Sequence, residues 1–383
     1  NEGYTLPPEG PTWMKAVRDA GYVTSVFGKT HLHPHRGDLR DREHLLHAYG
    51  LDHVDEIAGP RASASCRSNL TDRWEAAGLY EAYKRDLRDR LDNKPWVARP
   101  SPLPLEHYAD VYVGQQAAAF LRSQDAEPWF CWVSFGGPHE PWDAPEPYAS
   151  RYDAAAMPLP VEPLEDDHRR PRGLLDKRLA SRPSFEHGDI ARLRANYAGN
   201  LSLIDDQIGE ILRAVEERGE LDRTVVALVS DHGEMNGDHG LLYKKCFLEP
   251  AVRIPFAIRL PPALGGQRDA VADSVAELMD IGATFVDLAG GKLEDLGFAR
   301  SVVPAIEDPQ HTHRSGALSE FRGETMIATP DWKLVLNRHG KAYLLFDLHA
   351  DPHETRNLAA LSDYADVEHS LKRALRTMVK TSR

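Results

Sequence analysis

Six residues of this sequence have side chains that suit work on an anionic group. They are Lys29, His31, His139, Asp231, His232 and Lys244. A lysine offers a compact positive charge to the oxygens of a sulfuryl or phosphoryl group, and a histidine can protonate a leaving oxygen. An adjacent carboxylate and imidazole can supply part of the ligand set of a divalent cation. Together these residue types suit the binding of a tetrahedral oxyanion near a metal ion.

Three short apolar stretches, residues 22–27, 129–135 and 225–229, are predicted to be the β-strands that position these side chains. Such runs of β-branched, aromatic and aliphatic residues are typical of strands buried on both faces of a sheet. Polar candidates follow the end of each strand, and Lys244 comes after a later glycine-rich loop. Open α/β sheets bind ligands at the carboxyl ends of their strands. If the three strands lie in one parallel sheet, the six residues converge at one edge.

Each candidate taken alone also has a plainer interpretation. The Asp-His pair can be a solvated strand end, and Lys29 and Lys244 can be ordinary surface lysines. His31 lies in a loop with two further histidines, and His139 lies between two prolines in what can be a rigid turn. The functional hypothesis therefore depends on the combination of residues at successive strand ends.

Composition limits the possible partners. The 383 residues carry a net charge of −13, which argues against nucleic acid or an anionic membrane as the main partner but allows an anionic substrate. Three widely separated cysteines form neither a disulfide framework nor a metal motif, which mildly favours a reducing compartment. The sequence shows no membrane-spanning apolar run and no visible signal peptide, and it opens without Met, so its location stays open between cytoplasm and periplasm.

The alternation of helices and strands predicts an α/β fold. Helical patterns at residues 11–21, 108–122 and 189–218 precede the three strands, which indicates a mostly parallel sheet sandwiched by helices. After about residue 292, short strand-like runs separated by turn signals predict an antiparallel sheet, followed by a final helix. We therefore predict an α/β domain over residues 1–292 and a smaller α+β subdomain over residues 293–383.

Two long polar segments, residues 33–106 and 143–190, lack clear strand patterns. We expect them to be insertions outside the sheet. From their position after the strand ends, we hypothesise that they rim the pocket and influence the choice of substrate.

Several motifs, in this order, resemble the sulfatases of the alkaline phosphatase superfamily. They are Gly28-Lys29-Thr30-His31, Pro138-His139-Glu140-Pro141, Ser230-Asp231-His232-Gly233-Glu234, Gly237-Asp238-His239-Gly240 before Lys244, and Leu345-Phe346-Asp347-Leu348 with Asp351-Pro352-His353-Glu354. The resemblance implies an alkaline-phosphatase-like fold and a metal-dependent hydrolase that cleaves a small anionic sulfate monoester. The resemblance leaves open whether the protein forms a homo-oligomer.

The resemblance also implies a role for each candidate. Lys29 and His31 would hold the oxygen of the nucleophile and an oxygen of the sulfate. His139 and Lys244 would contact the sulfate group and the leaving oxygen, with His139 as the general acid. Asp231 and His232 would be metal ligands.

The nucleophile that the resemblance implies is missing from the sequence. The family uses a Cys or Ser in a Cys/Ser-x-Pro-x-Arg motif, which is converted to formylglycine. Ser65-Cys66-Arg67-Ser68 lacks the proline and follows Lys29 instead of preceding it. We therefore expect the nucleophile, and the paired aspartates that complete the metal site, in a segment before Asn1. On this interpretation the 383-residue chain alone does not turn over sulfate esters.

Two departures from the commonest family pattern bear on specificity. His232 stands where many sulfatases have Asn, and this resembles choline sulfatases and phosphonate monoester hydrolases. An imidazole ligand admits Mn²⁺ beside Ca²⁺, and Zn²⁺ or Mg²⁺ stay open. Thr30 replaces a commoner Trp, which predicts a wider pocket. A phosphodiesterase or phosphonate monoester hydrolase is therefore the alternative function, and a non-catalytic anion-binding relative or inactive fragment is a second one.

Overall fold

The computed structural model of the chain describes residues 3–93, 97–125, 128–164, 173–180, 184–265, 269–292 and 297–381. The helices are α1 (Trp13–Asp19), α2 (Glu43–Ala48), α3 (Asn69–Ala76), α4 (Tyr80–Asp92), α5 (Ala109–Ser123), α6 (Leu174–Ala180), α7 (His187–Glu217), α8 (Glu249–Val252), α9 (Asp280–Leu288), α10 (Val303–Glu307) and α11 (Ala365–Thr381). The strands are β1 (Val23–Gly28), β2 (Gly37–Asp38), β3 (His53–Glu56), β4 (Cys66–Arg67), β5 (Trp129–Ser134), β6 (Val226–Val229), β7 (Phe256–Arg259), β8 (Ala317–Phe321), β9 (Glu324–Ala328), β10 (Trp332–Leu336) and β11 (Ala342–Asp347).

The chain forms two compact units, each assembled from separate segments. The first comprises Asn1–Pro158, Glu186–Arg223 and Phe285–Glu294, and the second comprises Leu159–Phe185, Thr224–Thr284 and Asp295–Arg383. The boundary that the sequence suggests near residue 292 stays a prediction. The six candidate residues divide between the units. Lys29, His31 and His139 belong to the first, and Asp231, His232 and Lys244 belong to the second.

A parallel sheet in the order β3-β1-β5 forms the centre of the first unit. β1 pairs with β5 from Val23↔Trp129 to Gly28↔Ser134, so these two strands end at the same level. Five of the six residues of β1 are buried, as its apolar sequence predicts. The predicted α/β class with a parallel sheet is confirmed.

One strand of this sheet lies where the sequence predicts an insertion. β3 pairs in parallel with β1 from Ser25↔His53 to Gly28↔Glu56, so the expectation that residues 33–106 lie outside the sheet was wrong for these four residues. β3 is a border strand of the three-stranded sheet, and only Glu56 within it is buried. A strand with one exposed face can carry polar residues on that face, which explains why the sequence of β3 has no apolar run.

The long helices α5 and α7 pack against each other in the first unit. Their contact surfaces contain Tyr108, Val111, Leu203 and Ile204 in one cluster, and Ala118, Leu121, Ala214 and Val215 in another. Burial of each large apolar side chain contributes about 1.5–3 kcal/mol. This packing makes the start of α5 a fixed reference point for the neighbouring loops.

In the second unit β6 pairs antiparallel with β7, from Val226↔Arg259 to Val229↔Phe256. The three-stranded sheet of the first unit, in the part of the chain that the structure describes, does not include β6. The hypothesis that all three apolar strands share one parallel sheet was therefore wrong for β6. The expected burial of this strand on both faces was also wrong, because none of the four residues of β6 is buried and Leu228 is 51% exposed. An apolar run indicates a strand, but it does not select the strand's partner.

The second unit also contains the predicted antiparallel sheet, in the order β11-β10-β9-β8. α11 packs against it through Leu371 and Leu375, next to Leu334 and Leu345. The other face of the sheet packs on the segment around Met235 and Phe247. The predicted C-terminal antiparallel sheet and final helix are confirmed. No helix among the residues described above combines the length and apolar composition needed to cross a membrane.

Candidate active site

Lys29 leaves β1 at a point where the backbone is tightly constrained. Gly28 has φ of 111°, and a Cβ atom there would lie 1.8 Å from the carbonyl oxygen of Ser134. The amide of Lys29 donates to that same carbonyl at 3.1 Å, and the Ser134 hydroxyl donates to the Lys29 carbonyl at 2.6 Å. The side chain then passes Gly59, where an added Cβ would lie 3.5 Å from Nζ. The position of Lys29 is thus set by the end of β5 as well as by β1.

The loop that carries His139 is held by a buried carboxylate on α5. Asp110 Oδ1 accepts hydrogen bonds from the amides of Gly136 at 2.7 Å and Gly137 at 3.0 Å. Burial raises the pKa of Asp110, although the two amide hydrogen bonds and the charge of Lys29 act against the rise. A Cβ atom on Gly137 would lie 2.4 Å from Asp110 Oδ2, so only glycine fits there.

His139 is partly buried, with 20% of its side chain exposed. Its Nδ1 lies 2.9 Å from the backbone oxygen of Glu140 and 2.9 Å from Glu140 Oε2. Glu140 itself pairs with Arg61 at 2.8 Å. The ring is therefore oriented through Nδ1, in the way that a hydrogen-bonded neighbour fixes the tautomer of a functional histidine.

A second buried carboxylate, Glu56 at the end of β3, organises the loop after Lys29. It accepts hydrogen bonds from the Thr30 hydroxyl, from His33 Nε2 at 2.8 Å and from His35 Nε2 at 3.2 Å. Burial alone would raise the pKa of Glu56, but the three hydrogen bonds outweigh it and lower the pKa to about 2. Burial would likewise lower the pKa of His33, but Glu56 outweighs it and raises that pKa.

His31 lies at the surface of this cluster. Its backbone has φ of 57°, and its ring stacks on His35 with 5.0 Å between ring centroids and an interplanar angle of 11°. The loop is therefore a connected hydrogen-bonded structure as well as a histidine-rich one. The predicted effect of Thr30 on pocket width stays a prediction. Its hydroxyl donates to Glu56 and accepts a hydrogen bond from the Leu32 amide at 3.3 Å.

Asp231 and His232 follow β6 in the second unit and bond to each other. The His232 amide donates to Asp231 Oδ1 at 3.0 Å, and His232 Nε2 lies 3.5 Å from Asp231 Oδ2. The loop is tied to α8, because Gly233 donates to the Ala251 carbonyl at 2.9 Å. A Cβ at Gly233 would lie 2.0 Å from the carbonyl oxygen of Pro250.

The donor chemistry of this pair fits a divalent cation. His232 Nδ1 lies 2.9 Å from the Gly233 carbonyl, the usual outer contact that orients a metal-binding imidazole. Nε2 and an exposed carboxylate are then side by side, with 66% of the Asp231 side chain accessible. Within the described ranges, no cluster of three or more His, Cys, Asp or Glu side chains could hold a metal ion. The pair therefore fits as part of a metal site.

Lys244 lies on a loop with unusual backbone geometry. Tyr243 and Lys245 on either side have φ of 65° and 77°. The amide of Tyr243 donates to the Glu234 carboxylate, and Arg178 on α6 donates to the Lys244 carbonyl. Positive φ in residues with side chains costs free energy and is common at functional sites. These contacts fix the backbone on both sides of the Lys244 side chain.

The predicted residues thus form two groups, one in each unit. Lys29, His31 and His139 follow the neighbouring strands β1 and β5, whereas Asp231, His232 and Lys244 lie on the loops after β6. Asp110 and Glu56 are two supporting residues that residue type and spacing did not reveal. Asp110 was part of a regular helical pattern, and Glu56 ended a strand without an apolar signal.

Comparison with protein families gives two overlapping matches. Residues 5–291 match the family described as Sulfatase. Residues 237–381 match the family described as N-sulphoglucosamine sulphohydrolase, C-terminal. Between them the two matches cover nearly all of the chain.

Individual proteins agree with these matches. An arylsulfatase of Clostridium perfringens is 30% identical over 376 residues, which cover 93% of this chain and 75% of the relative. A choline-sulfatase of Rhizobium meliloti is 30% identical over 381 residues, covering 91% of this chain and 67% of the relative. The structure of a phosphonate monoester hydrolase of Agrobacterium radiobacter superposes with a TM-score of 0.75 at 23% identity, covering 97% of this chain and 80% of that one.

Proposed function

The chain belongs to the sulfatase family, and from this premise we propose that it hydrolyses a sulfate monoester of a small anionic substrate. The observation that carries the proposal is the pairing of β1 with β5, which brings Lys29 and the loop of His139 to adjacent strand ends. A lysine and a histidine at one sheet edge suit the binding of an oxyanion and the protonation of a leaving oxygen.

Each residue of the first unit has a task in this proposal. Lys29 and His31 hold the oxygen of the nucleophile and an oxygen of the sulfate. His139, oriented through Nδ1 by Glu140, delivers a proton from Nε2 to the leaving oxygen. Proton transfer of this kind contributes roughly 10²–10⁴-fold to a rate, and most for poor leaving groups.

The candidate residues of the second unit have their own tasks in this proposal. Family members generally use a divalent metal ion and a formylglycine, and Asp231 and His232 would hold the metal in this chain. A bound divalent cation stabilises negative charge on the oxyanion. We infer Ca²⁺ or Mn²⁺, with Zn²⁺ or Mg²⁺ as the alternatives, because a carboxylate suits Ca²⁺, Mg²⁺ and Mn²⁺ and an imidazole also suits Mn²⁺ and Zn²⁺. Lys244 contacts the sulfate group and the leaving oxygen.

Hydrolysis of a phosphonate monoester or phosphodiester is the second candidate. The observation that favours it is His232, an imidazole beside a carboxylate in the candidate metal pair. An imidazole ligand suits borderline metals such as Mn²⁺ and Zn²⁺ better than Ca²⁺. The two functions share every residue named here, so only a comparison of substrates separates them.

The test compares kcat/KM for an aryl sulfate, an aryl phosphonate and a phosphodiester with the same leaving group. The protein is prepared as the 383-residue chain and also with any coding sequence upstream of Asn1. We expect the aryl sulfate to react fastest when the longer of the two proteins is assayed. Faster reaction of the phosphonate or the diester supports the second candidate. If neither protein hydrolyses any of the three esters but both still bind sulfate, the chain belongs to a non-catalytic anion-binding protein.

A further inference from the structure

We propose that Asp110 is a positioning residue, which holds the loop of His139 in the geometry that proton transfer requires. The inference rests on the proposed function, because it assigns Asp110 a role through the general acid. Asp110 lies in the first turn of α5 and has 1% of its surface exposed. It is outside every motif that carries the family resemblance.

The hydrogen bonds of Asp110 reach the loop just before His139. Its Oδ1 accepts both the Gly136 amide at 2.7 Å and the Gly137 amide at 3.0 Å. These two amides directly follow Phe135, the residue after the end of β5. One carboxylate oxygen thus fixes the direction in which the chain leaves the sheet toward His139.

The same end of α5 also holds the far side of the loop. The Tyr108 hydroxyl donates to Asp143 Oδ1 at 3.0 Å, and Asn200 Nδ2 donates to the Tyr108 hydroxyl at 3.1 Å. The span from Gly136 to Asp143 is therefore attached at both ends to the start of α5. Since α5 is packed against α7, the loop has a rigid support.

The charge of Asp110 links the loop to Lys29. Lys29 is near enough that its positive charge favours the ionised carboxylate. Asp110 therefore contacts the loop of His139 and interacts with the charge of Lys29, so it can fix the positions of both. Asp110 contacts no reacting atom in this account, so it acts through His139.

Two substitutions separate the hydrogen bonds from the charge. Asp110→Asn keeps an Oδ1 that can accept both amides but removes the charge, whereas Asp110→Ala removes both. His139→Ala is the reference for loss of the acid. Tyr80→Phe is the matched control, because it deletes a buried hydroxyl that bonds to the carbonyls of Ser63 and Cys66 in the same unit.

The measurement is kcat/KM for aryl sulfates with leaving groups of graded basicity, on the product that includes any coding sequence upstream of Asn1. We expect His139→Ala to lose roughly 10²-fold more activity on the poorest leaving group than on the best. Asp110→Ala should show the same trend at roughly tenfold or more, because a misplaced acid protonates poorly. Asp110→Asn should retain most of the activity that Asp110→Ala loses. Tyr80→Phe should change the activity on all esters equally.

The outcomes distinguish the two hypotheses. Equal loss on all esters in His139→Ala contradicts the acid role in the proposed function. If His139→Ala loses more activity on poor leaving groups and Asp110→Ala does not, the positioning role of Asp110 is overturned and the acid role of His139 stands.

Hydrogen–deuterium exchange on the 383-residue chain tests the inference without activity. Exchange in peptides spanning residues 134–141 should rise at least roughly tenfold in Asp110→Ala, stay near wild type in Asp110→Asn, and change little in Tyr80→Phe. Unchanged exchange of this segment in Asp110→Ala, or an equal rise throughout the protein, overturns the inference.

Discussion

His33 Nε2 lies 2.8 Å from Glu56 Oε2, and both side chains are almost completely buried. Glu56 also accepts hydrogen bonds from Thr30 and His35, so one carboxylate organises the loop that follows Lys29. A buried carboxylate with several donors prefers its ionised form strongly. The stability of this part of the protein should therefore depend on pH in a defined direction.

Glu56→Gln tests the acid side of this dependence. The folded-state pKa of Glu56 is lowered from 4.5 to about 2, so its contribution is present above pH 4.5 and lost as the pH falls toward 2. The difference corresponds to roughly 3 kcal/mol. We expect Glu56→Gln to be destabilised at neutral pH and to approach wild type as the pH falls to about 2, where the folded-state Glu56 becomes protonated. Urea unfolding at a series of pH values measures this, and a constant difference between the two proteins would contradict it.

His33→Gln tests the alkaline side. The pKa of His33 is raised above 6.5, so its contribution is present below pH 6.5 and is lost as the pH rises through the raised folded-state value. A glutamine can still donate to Glu56 but does not titrate. Wild type should therefore lose stability above neutral pH relative to His33→Gln. The same unfolding series, extended to about pH 9, checks this, and parallel curves for the two proteins would count against the ion pair.

The metal assignment predicts ion-specific stabilisation. Mn²⁺ and Ca²⁺ should raise the melting temperature of the chain, and Asp231→Asn should weaken both ions by at least roughly tenfold. His232→Asn should weaken Mn²⁺ more than Ca²⁺, because imidazole favours the softer ion. Asp273→Asn, an exposed aspartate of the same unit, is the control. Calorimetric titration gives the affinities, and equal binding by Asp231→Asn and wild type would refute the assignment.

The sequence predicted elements better than it predicted their partners. The apolar runs that became β1 and β5 identified both strands and the polar residues after them. Five of the six residues of β1 are buried, whereas all six residues of β5 are only partly buried, so the runs predicted the strands better than their burial. Asp110 and Glu56 could not be found in this way. A carboxylate becomes a support for a loop only when tertiary packing buries it beside amides or imidazoles, and neither residue type nor spacing records that event.

Strand position and strand pairing explain the two wrong expectations, for β3 and for β6. β3 carries no apolar run because it borders the sheet, and only its last residue, Glu56, is buried. β6 has the expected apolar sequence but pairs with β7. The motif residues themselves were predictable, since the positions after strand ends are where open sheets bind ligands.

Gly28 should be intolerant of substitution for a reason that a control can isolate. A Cβ atom at Gly28 would lie 1.8 Å from the Ser134 carbonyl oxygen, whereas a Cβ at Gly21 meets nothing within 4 Å. Both glycines have positive φ, of 111° and 99°. Gly21→Ala should therefore cost about 1–2 kcal/mol from backbone strain, and Gly28→Ala clearly more. Equal losses in urea unfolding would show that β1 and β5 separate easily at their ends.

Substitution of the buried Lys333 in the second unit should be strongly destabilising. Its Nζ lies 2.5 Å from Glu249 Oε1 and 2.6 Å from Glu354 Oε1, and the Glu249 amide donates to Glu354 Oε2 at 2.6 Å. These contacts join β10 to the start of α8, the helix to which the Asp231–His232 loop is tied.

Lys333→Met should destabilise the protein by about 3–5 kcal/mol, because it leaves the buried Glu354 without its cation and the partly exposed Glu249 with only Arg253. The double variant Lys333→Met with Glu354→Gln should recover much of that loss, since the unpaired buried charge is removed with little change in shape. Urea unfolding of the single and double variants measures both effects. A single variant within about 1 kcal/mol of wild type would show that water reaches Lys333, and that the ion cluster does not hold the loop of the candidate metal ligands in place.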